Sequence, residues 1–337
     1  MQLVDLVAEL LAPHYQSQPQ LIEAKAYAPS NIALSKYWGK RDTKLNLPMT
    51  GSLSISLAHQ GTWTRLQPID AVHHCIHLND KFVEPTTSFA RRLSAWLELV
   101  LPPGLTLAVQ TQNTIPTAAG LASSASGFAA LVRATDRLMG WQLTDDKLSV
   151  LARLGSGSAC RSLWHGFVEW RVGQCCDGRD SFAELLPETW PQLRLGLLKV
   201  STQAKLVSSR QGMLRTIQTS ALYEKWPVQA ESDLRRIRSA IAEQDFHTLG
   251  MTAEHNAMTM HATMAAAWPP LVYWQPESLV NMHQVWKLRQ LGVPVYLTMD
   301  AGPNLKLLFL EQNQPTLQEV FSQLQVVAPF QYQQSPN

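Results

Sequence analysis

Residues 116–127 read Pro-Thr-Ala-Ala-Gly-Leu-Ala-Ser-Ser-Ala-Ser-Gly, a run of small residues that leads directly into a helical pattern. Six apolar or small positions then repeat with the spacing of one helix face: Phe128, Leu131, Val132, Thr135, Leu138 and Met139. Gly140 follows at the position where such a helix would end. The pattern therefore predicts a small-residue loop over the N-terminus of a helix.

A loop of this kind can bind an anion. Unpaired backbone N–H groups and the positive end of the helix dipole favour negative charge there, and small side chains let phosphate oxygens approach the backbone. Ser123 and Ser124 are placed to touch that anion, or a metal ion bound to it. The alternative is that the small residues only let two helices pack closely, since the loop is a weaker pattern than a Walker A sequence.

Length and composition limit the other possibilities. The chain has 337 residues, of which 45% are apolar, and this length suggests about two domains. Charged residues make up 16%, and 28 Lys+Arg nearly balance 26 Asp+Glu. Such a balance gives no field that would hold nucleic acid or an acidic membrane surface. An anionic ligand would therefore need positive charge that is concentrated locally.

The N-terminus and the cysteines indicate a cytoplasmic protein. The segment Met1 to Tyr15 has amphipathic spacing, carries Asp5 and Glu9, and lacks the basic region of a signal peptide. The sequence also lacks a run of about 18 uncharged apolar residues that would predict a membrane span. The four cysteines have no C-x-x-C spacing and fit reduced thiols: Cys75, Cys160, Cys175 and Cys176.

A basic and aromatic patch precedes the small-residue loop. Lys36, Lys40 and Arg41 lie within six residues of one another. Tyr37 and Trp38 stand between them. Such a patch can bind a phosphorylated small molecule, with the Tyr37 hydroxyl and the Lys40 ammonium as donors. A solvated turn beside a strand is the alternative.

Two later motifs also carry groups for an anion. In Gly155-Ser156-Gly157-Ser158-Ala159-Cys160-Arg161, a shared helical turn would point the Ser158 hydroxyl and the Arg161 guanidinium the same way. Arg161 could then hold a carboxylate or phosphate at two points. Asp300 directly follows a predicted strand, residues 293–299, and is the acidic residue at its end. It could be a functional residue, or it could only form a turn, since Asp is common in turns before Gly-Pro.

Composition places a domain boundary between Asp177 and Pro191, where polar residues and prolines interrupt the periodic pattern. Beyond it, the pattern predicts a strand from Leu193 to Val200 and a helical segment from Leu234 to Met264. Lys205 and Ser208-Ser209-Arg210 add a second cluster of cations and hydroxyls. The second half is therefore expected to supply further positive charge.

Together these motifs resemble those of the diphosphomevalonate decarboxylases, a family in the GHMP superfamily of small-molecule kinases. The resemblance spans residues 28 to 304, and the Tyr37 and Gly155 motifs are more specific to the family than the phosphate loop. Four blocks carry it, in the family's order: Asn31-Ile32-Ala33 with Lys36-Tyr37-Trp38-Gly39-Lys40, residues 116–125, Gly155 to Ser162, and Met299-Asp300-Ala301-Gly302-Pro303-Asn304.

The resemblance implies an α+β protein with the two-domain GHMP kinase fold. Residues 1–188 would form the ATP-binding domain, like ribosomal protein S5 domain 2, with the first ~20 residues as an extension. Residues 189–337 would form a ferredoxin-like domain. The family uses ATP and Mg²⁺ to convert mevalonate 5-diphosphate to isopentenyl diphosphate, ADP, phosphate and CO₂, a step of isoprenoid synthesis, and relatives are commonly homodimers.

The resemblance also gives each motif a role. Asp300 would lie beside the 3-hydroxyl group, where it would accept the proton or stabilise positive charge at C3, and Arg161 and Lys40 would complete the catalytic set. The substrate would be bound by Tyr37, Trp38, Lys40, Ser156, Ser158, Arg161 and Arg210. The ATP phosphates would contact Pro116, Gly120, Leu121, Ala122, Ser123, Ser124 and Lys205, with Ser123 or Ser124 near Mg²⁺.

Two positions depart from the family pattern, and other activities remain open. Thr50-Gly51 stands where the family commonly has Asn-Ser or Asn-Asn, and His165 where it often has Gly. One alternative is a decarboxylase of mevalonate 5-phosphate, or a kinase that stops after phosphorylation. Another is a non-catalytic nucleotide-binding protein, which predicts the loss of Asp300 or of the phosphate loop, and both are present.

Overall fold

The computed structural model describes residues 3–114, 123–201, 203 and 205–331. Within these ranges the first half of the chain contains a large sheet with helices packed on it. Its elements are α1 (Leu3–Leu11), β1 (Ala24–Ser35), β2 (Lys40–Asp42), β3 (Leu47–Pro48), β4 (Ser52–Ile69), β5 (Cys75–Leu78), β6 (Lys81–Phe82), α2 (Ser88–Val100), β7 (Thr106–Asn113), α3 (Ser123–Met139), α4 (Asp145–Gly155), a 3₁₀ helix (Gly157–Ser162), β8 (Phe167–Trp170) and β9 (Ala183–Leu185).

The second half contains a smaller sheet and a group of longer helices. Its elements are β10 (Leu193–Leu198), α5 (Ser209–Thr219), a 3₁₀ turn (Tyr223–Lys225), α6 (Trp226–Glu243), α7 (Phe246–Ala265), α8 (Pro276–Gln290), β11 (Val295–Met299), β12 (Leu305–Leu310), a 3₁₀ turn (Glu311–Asn313), α9 (Gln314–Val320) and β13 (Gln325–Val327). Among the residues described, none of the helices is long and apolar enough to cross a membrane.

Strand β4 organises the first sheet. Along the sheet the strand order is β6-β5-β7-β4-β8-β9, and β1 pairs antiparallel with β4. The first residues of β4 pair with β8 and its last residues with β7. The pairing of β1 with β4 is interrupted by a bulge between Ala33 and Ser35. This irregularity lies directly before the predicted basic and aromatic segment, which therefore leaves the sheet at its end.

The N-terminal extension is part of the first domain's core. In α1, Leu6, Val7, Leu10 and Leu11 are buried, with exposures between 0% and 8%. They belong to one hydrophobic cluster with residues of α2, α3 and α4. Burying four such side chains stabilises the fold by several kcal/mol, at roughly 1.5–3 kcal/mol each. The extension therefore contributes to stability.

The helix predicted after the small-residue loop is confirmed as α3. Its first turn is attached to the sheet through the Ser126 hydroxyl, which lies 3.1 Å from Ser30 Oγ and 2.7 Å from Thr62 Oγ1. The helix ends at Met139, and Gly140 adopts a φ of +67°. The predicted phosphate-loop residues 116–122 lie outside the described residues, so their conformation stays a prediction.

The second sheet is antiparallel and has the strand order β11-β12-β10-β13. One hydrophobic cluster joins the two sheets, because Ile32 of β1 and Leu53 of β4 lie in it together with Leu195 of β10, Ile237 of α6 and Leu308 of β12. The last strand of the first sheet ends at Leu185 and the first strand of the second begins at Leu193. We propose the domain boundary between them, at residues 188 and 189.

The helical segment predicted from Leu234 to Met264 is present, with one interruption. The segment is divided into α6 and α7 at Gln244, which has a left-handed φ of +53°. Asp245 then caps α7 by accepting a hydrogen bond from the Thr248 backbone N–H at 3.0 Å. Gln244 is neither Gly nor Pro, so the local sequence gives no clear break. The predicted strands near residues 53–57, 165–170, 193–200 and 293–299 are present with shifted ends.

Candidate active site

The predicted motifs line one cavity of about 1180 Å³. Both halves of the chain contribute to it, and positive charge dominates its wall. Seven cationic side chains line it: Lys36, Lys40, Arg91, Arg92, Arg161, Lys205 and Arg210. Asp300 is the single carboxylate among the lining residues that the structure describes. Positive charge is thus concentrated locally in a nearly neutral chain, which suits a ligand with several anionic groups.

The structure brings the predicted site residues together at this cavity. The described ones that line it are Tyr37, Trp38, Lys40, Ser124, Ser156, Ser158, Arg161, Lys205, Arg210 and Asp300. The predicted ATP contacts Pro116, Gly120, Leu121 and Ala122 lie outside the described residues, as does the side chain of Ser123. Their roles stay predictions.

The segment between β1 and β2 is held by side chains from the second half. The backbone carbonyl of Trp38 accepts hydrogen bonds from the Tyr223 hydroxyl at 3.1 Å and from Trp226 Nε1 at 3.0 Å. Gly39 has a φ of +131°, and a Cβ at this position would lie 1.8 Å from the Tyr223 hydroxyl oxygen. Only glycine fits there, so the close approach of Tyr223 fixes the direction in which the chain reaches Lys40.

Lys40 is half-buried at the cavity wall. Its Nζ donates to Asn46 Oδ1 at 2.5 Å, and Asn46 Nδ2 donates in turn to the carbonyl of Arg153 at 2.9 Å. Burial, together with the neighbouring charges of Arg210 and Arg92, lowers the pKa of Lys40 to about 8. Three cations therefore lie near one another, which is favourable only with an anion between them.

Arg161 and Ser158 share one turn of the 3₁₀ helix, as their spacing predicts. A 3₁₀ helix has three residues per turn, so positions i and i+3 point the same way. Arg161 is 2% exposed, and its Nη1 donates to Ser52 Oγ at 2.5 Å. Its guanidinium lies 5.8 Å from the centre of the Trp170 ring. Arg161 Nε is buried without a hydrogen-bond partner among the described residues, and Arg161 contributes to the cavity wall.

Asp300 is held by two lysines. Lys36 Nζ lies 2.9 Å from Oδ1 and Lys306 Nζ lies 3.1 Å from Oδ2. These two charges hold the pKa of Asp300 well below its usual range, although burial alone would raise it. Burial lowers the pKa of Lys36 to about 8, even though the carboxylate beside it favours the ammonium. The site therefore contains an ionised carboxylate that opens onto the cavity.

The backbone at Asp300 is fixed from α7. His261 Nε2 lies 3.2 Å from the Asp300 carbonyl oxygen, and the imidazole stacks on Trp274 with ring centres 5.2 Å apart. Burial and the charge of Lys36 lower the pKa of His261 to about 3. The imidazole is therefore neutral near pH 7, and it donates its Nε2 proton to that carbonyl.

Lys205 approaches the same region from the segment before α5. Its Nζ lies 3.5 Å from Ser209 Oγ and 5.7 Å from the centre of the Tyr273 ring. Burial lowers its pKa, with a further contribution from Lys306. Its contact to ATP phosphate stays a prediction.

Both departures from the family pattern lie away from the cavity lining. Gly51 donates its backbone N–H to Glu231 Oε1 at 2.6 Å, and Thr50 is 2% exposed. His165 stacks on Tyr27 with ring centres 6.2 Å apart, and burial lowers its pKa to about 4. These residues therefore support the fold around the site, and the cavity wall is built without them.

The sequence comparisons agree with this geometry. The profile of the diphosphomevalonate decarboxylase-like N-terminal domain matches residues 28–183, and that of the mevalonate 5-diphosphate decarboxylase C-terminal domain matches residues 197–335. The chain belongs to the diphosphomevalonate decarboxylase family. The predicted family and its GHMP kinase fold of two α+β domains are thereby confirmed, and so is the enzyme class.

Relatives match over most of their length. The diphosphomevalonate decarboxylase of Aspergillus fumigatus is 38% identical over 319 residues, which cover 88% of this chain and 79% of the relative. The crystal structure of mevalonate diphosphate decarboxylase from Staphylococcus aureus aligns with a TM-score of 0.85 and 36% identity, over 91% and 95% of the two chains. A second structure, MDDEF in complex with MVAPP, AMPPCP and magnesium, aligns with a TM-score of 0.83 and 40% identity, over 92% and 98%.

Proposed function

We propose that this enzyme converts mevalonate 5-diphosphate to isopentenyl diphosphate, with consumption of ATP and release of ADP, phosphate and CO₂. The observation that carries the proposal is the cavity in which one ionised carboxylate, Asp300, lies among seven cations. The relative solved with MVAPP, AMPPCP and magnesium supports it. A substrate with a diphosphate and a carboxylate, together with a nucleotide, would balance this charge.

Substrate binding follows from the positions of the cations. Lys40, Arg92 and Arg210 lie near one another, and together they would hold the diphosphate group. At the other end of the site, the guanidinium of Arg161, which lines the cavity, would donate to the substrate carboxylate. Tyr37 also lines the cavity, and its hydroxyl would donate to the same ligand. These contacts orient C3 of the substrate toward Asp300.

The reaction requires two stages. A tertiary alcohol is a poor leaving group, so the 3-hydroxyl oxygen first takes the γ-phosphoryl group of ATP, with ADP as the leaving group and the hydroxyl proton passing to a phosphate oxygen. The C3–O bond then breaks with its electron pair leaving on phosphate, and positive charge develops at C3. The electron pair of the C1–C2 bond forms the C2–C3 double bond as CO₂ departs. Stabilisation of charge at C3 is therefore the central task of the site.

Asp300 is suited to that task. Two lysines keep its carboxylate ionised, so negative charge stands beside the reacting carbon before the C3–O bond breaks. A carboxylate with a strongly lowered pKa is a weak base. The lowered pKa of Asp300 therefore favours stabilisation of the cation over proton abstraction. Preorganised charge of this kind typically contributes a factor of about 10²–10³ in rate.

The chemistry of the donors also fits Mg-ATP. Mg²⁺ prefers oxygen ligands and usually binds through phosphates and few protein groups. Ser124 lines the cavity and offers a hydroxyl oxygen, whereas Asp300 already holds two lysines. Ser124 or Ser123 would thus be the protein ligand, and Lys205 would contact ATP phosphate. When bound, the ion neutralises phosphate charge during phosphoryl transfer.

We further expect a cytoplasmic homodimer.

The proposal is tested by incubating the purified protein with Mg-ATP and mevalonate 5-diphosphate while following ADP and CO₂ together. Equal yields of the two products are expected. ADP without CO₂ would identify a kinase that stops at the phosphorylated substrate. If neither product forms, mevalonate 5-phosphate is the next substrate to test, and CO₂ from it would replace the proposed function.

Asp300→Asn provides the first mutational test. The substitution keeps the size of the side chain and removes its charge, so CO₂ release should fall by at least about 10²-fold. Nucleotide affinity, measured with a non-hydrolysable ATP analogue, should stay within about threefold. Asp70→Asn is the matched control because Asp70 is exposed outside the cavity. Turnover close to wild type in Asp300→Asn would reject the assigned role.

A further inference from the structure

Lys306 is a buried lysine in an otherwise apolar strand. In β12 the other five residues are leucines and a phenylalanine, and the Lys306 side chain is only 3% exposed. Across the sheet it pairs with Leu197 on β10 and with Thr298 on β11. An ammonium that water barely reaches needs a charged partner within the protein.

That partner is Asp300. Lys306 Nζ lies 3.1 Å from Asp300 Oδ2 and 3.4 Å from the carbonyl oxygen of Asn304. Lys36 binds the other carboxylate oxygen, Oδ1, at 2.9 Å. Lys36 lines the cavity, whereas Lys306 is absent from the described lining residues. Among the described lining residues, Asp300 is therefore the one to which Lys306 forms an ion pair.

The other titratable groups that act on Asp300 are cationic or neutral. Arg161 faces it from the 3₁₀ helix, and Lys205 faces it from the segment before α5. His261 on α7 contacts its backbone carbonyl and is neutral near pH 7, because burial lowers its pKa to about 3. One cation would neutralise the carboxylate. Lys306 is thus a second buried cation whose charge is not needed for the ion pair with Lys36.

We propose that Lys306 is a positioning residue that keeps Asp300 ionised and turned toward the cavity while substrate reacts there. Two ammonium groups on two oxygens fix the rotation of the carboxylate, whereas one leaves it free to turn. Removal of one opposite charge also raises the pKa of a carboxylate that two cations hold. The inference rests on the proposed function, in which an ionised Asp300 stabilises positive charge at C3.

Three substitutions separate the charge of Lys306 from its hydrogen bond. Lys306→Met removes both, Lys306→Gln keeps a donor without the charge, and Lys306→Arg keeps both. The parameters kcat and KM are measured for mevalonate 5-diphosphate and ATP from about pH 5 to about pH 9, with thermal unfolding in parallel. Thr298→Val is the control, because Thr298 pairs directly with Lys306 and its buried Oγ1 has no partner among the described residues.

The uncharged variants should lose turnover and shift its pH dependence. We expect Lys306→Met and Lys306→Gln to lower kcat at least about tenfold, with KM for ATP within about twofold. The pKa of the Asp300 carboxyl group, followed from about pH 3 upward by ¹³C NMR of aspartate-labelled protein, should rise by about 1–3 units, because Asp300 loses one of two cations. The basic limb should also move up, since Lys306 helps to lower the pKa of Lys36. Lys306→Arg and Thr298→Val should retain the wild-type limbs.

Two results would overturn this role. One is a wild-type Asp300 pKa together with a wild-type basic limb of kcat in Lys306→Met, whatever its kcat, since a merely structural lysine would leave both ionisations unchanged. The other is full recovery in Lys306→Gln, because the hydrogen bond alone would then suffice. If Lys306→Met is unfolded at the assay temperature, Lys306→Gln makes the same test. An inactive wild type would reject the proposed function and this inference together, whereas an active wild type with unshifted variants rejects only the inference.

Discussion

Lys40 is a cavity cation whose charge changes in the working pH range. Burial beside Arg210 and Arg92 lowers its pKa to about 8, so the ammonium is lost as the pH rises through that value. We predict that affinity for mevalonate 5-diphosphate, measured by calorimetry without nucleotide, weakens roughly tenfold between about pH 7 and about pH 9. In Lys40→Arg the guanidinium stays charged, so this loss should largely disappear.

The control for this experiment is Lys44→Met, which removes an exposed cation close in sequence to Lys40. It should bind substrate with the wild-type pH dependence. If Lys40→Arg also keeps that dependence, another group carries it. Lys36 is then the first alternative, because its pKa is also lowered to about 8 and it lies at the Asp300 end of the cavity.

The residues that the sequence predicted for the site are those that lie in compact motifs. Tyr37 and Lys40 stand a few positions apart, and Ser158 and Arg161 share one turn, so local spacing was sufficient to place them. From the sequence, Lys36 could be recognised only as one cation of the basic patch. Its ion pair with Asp300 joins residues 264 positions apart, and local spacing gives no indication of such a contact. Arg92 and Lys306 were missed for the same reason. The signal that could have found Lys306 is a charged residue inside an apolar strand.

Helices α6 and α7 support the segment that carries Tyr37 and Lys40. Asn256 on α7 accepts the Lys36 backbone N–H at 2.8 Å and donates to Asp233 on α6 at 2.9 Å, and Asn256 is fully buried. Asn256→Leu keeps the volume but leaves that N–H unpaired. We predict a loss of about 1–3 kcal/mol in the free energy of unfolding, measured in denaturant. The KM for mevalonate 5-diphosphate should rise several-fold.

Thr259→Ala provides the control on the same helix. Thr259 is intermediate in exposure, and its hydroxyl donates to the His255 carbonyl within α7. Its substitution should leave KM unchanged and alter stability by less than about 0.5 kcal/mol. A wild-type KM in Asn256→Leu would indicate that the contacts of Tyr223 and Trp226 with Trp38 suffice to hold the segment.

A helix could be predicted from the sequence where both its apolar periodicity and the residues that end it lie within the segment itself. Helix α3 has both, with an apolar face and Gly140 after its last residue. The division between α6 and α7 has neither Gly nor Pro, and the turn at Gln244 allows both helices to pack in the core shared by the sheets. Such a break depends on tertiary packing, and the periodic pattern of a local segment carries no information about that packing.

At the scale of the whole molecule, the two sheets share a hydrophobic core. Residues of β1 and β4 lie in one buried cluster with residues of β10, α6, α7 and β12. An exposed ion pair between Arg238 and Glu169 and the hydrogen bond from Gly51 to Glu231 also cross between the halves. Separating the domains would expose this core to water. The active-site cavity, which both halves line, is therefore supported by a continuous apolar interior.

A shared core predicts one cooperative unfolding transition. Ile237 on α6 and Leu97 on α2 are both fully buried, the first in the shared cluster and the second in the cluster of the first domain. Ile237→Ala and Leu97→Ala should each lower the free energy of unfolding by about 2–5 kcal/mol. Calorimetry should then find one transition that moves down in both variants, with van't Hoff and calorimetric enthalpies in agreement.

Val228→Ala is the matched control on α6, because Val228 is 73% exposed and its truncation creates no cavity. Its transition should coincide with that of the wild type. Independent domains would give a different pattern, in which Leu97→Ala lowers one of two transitions and leaves the other in place. In that case the cavity would lie between two separately stable units. With a single transition, loss of core packing far from the cavity would instead destabilise the binding site as strongly as it destabilises the fold.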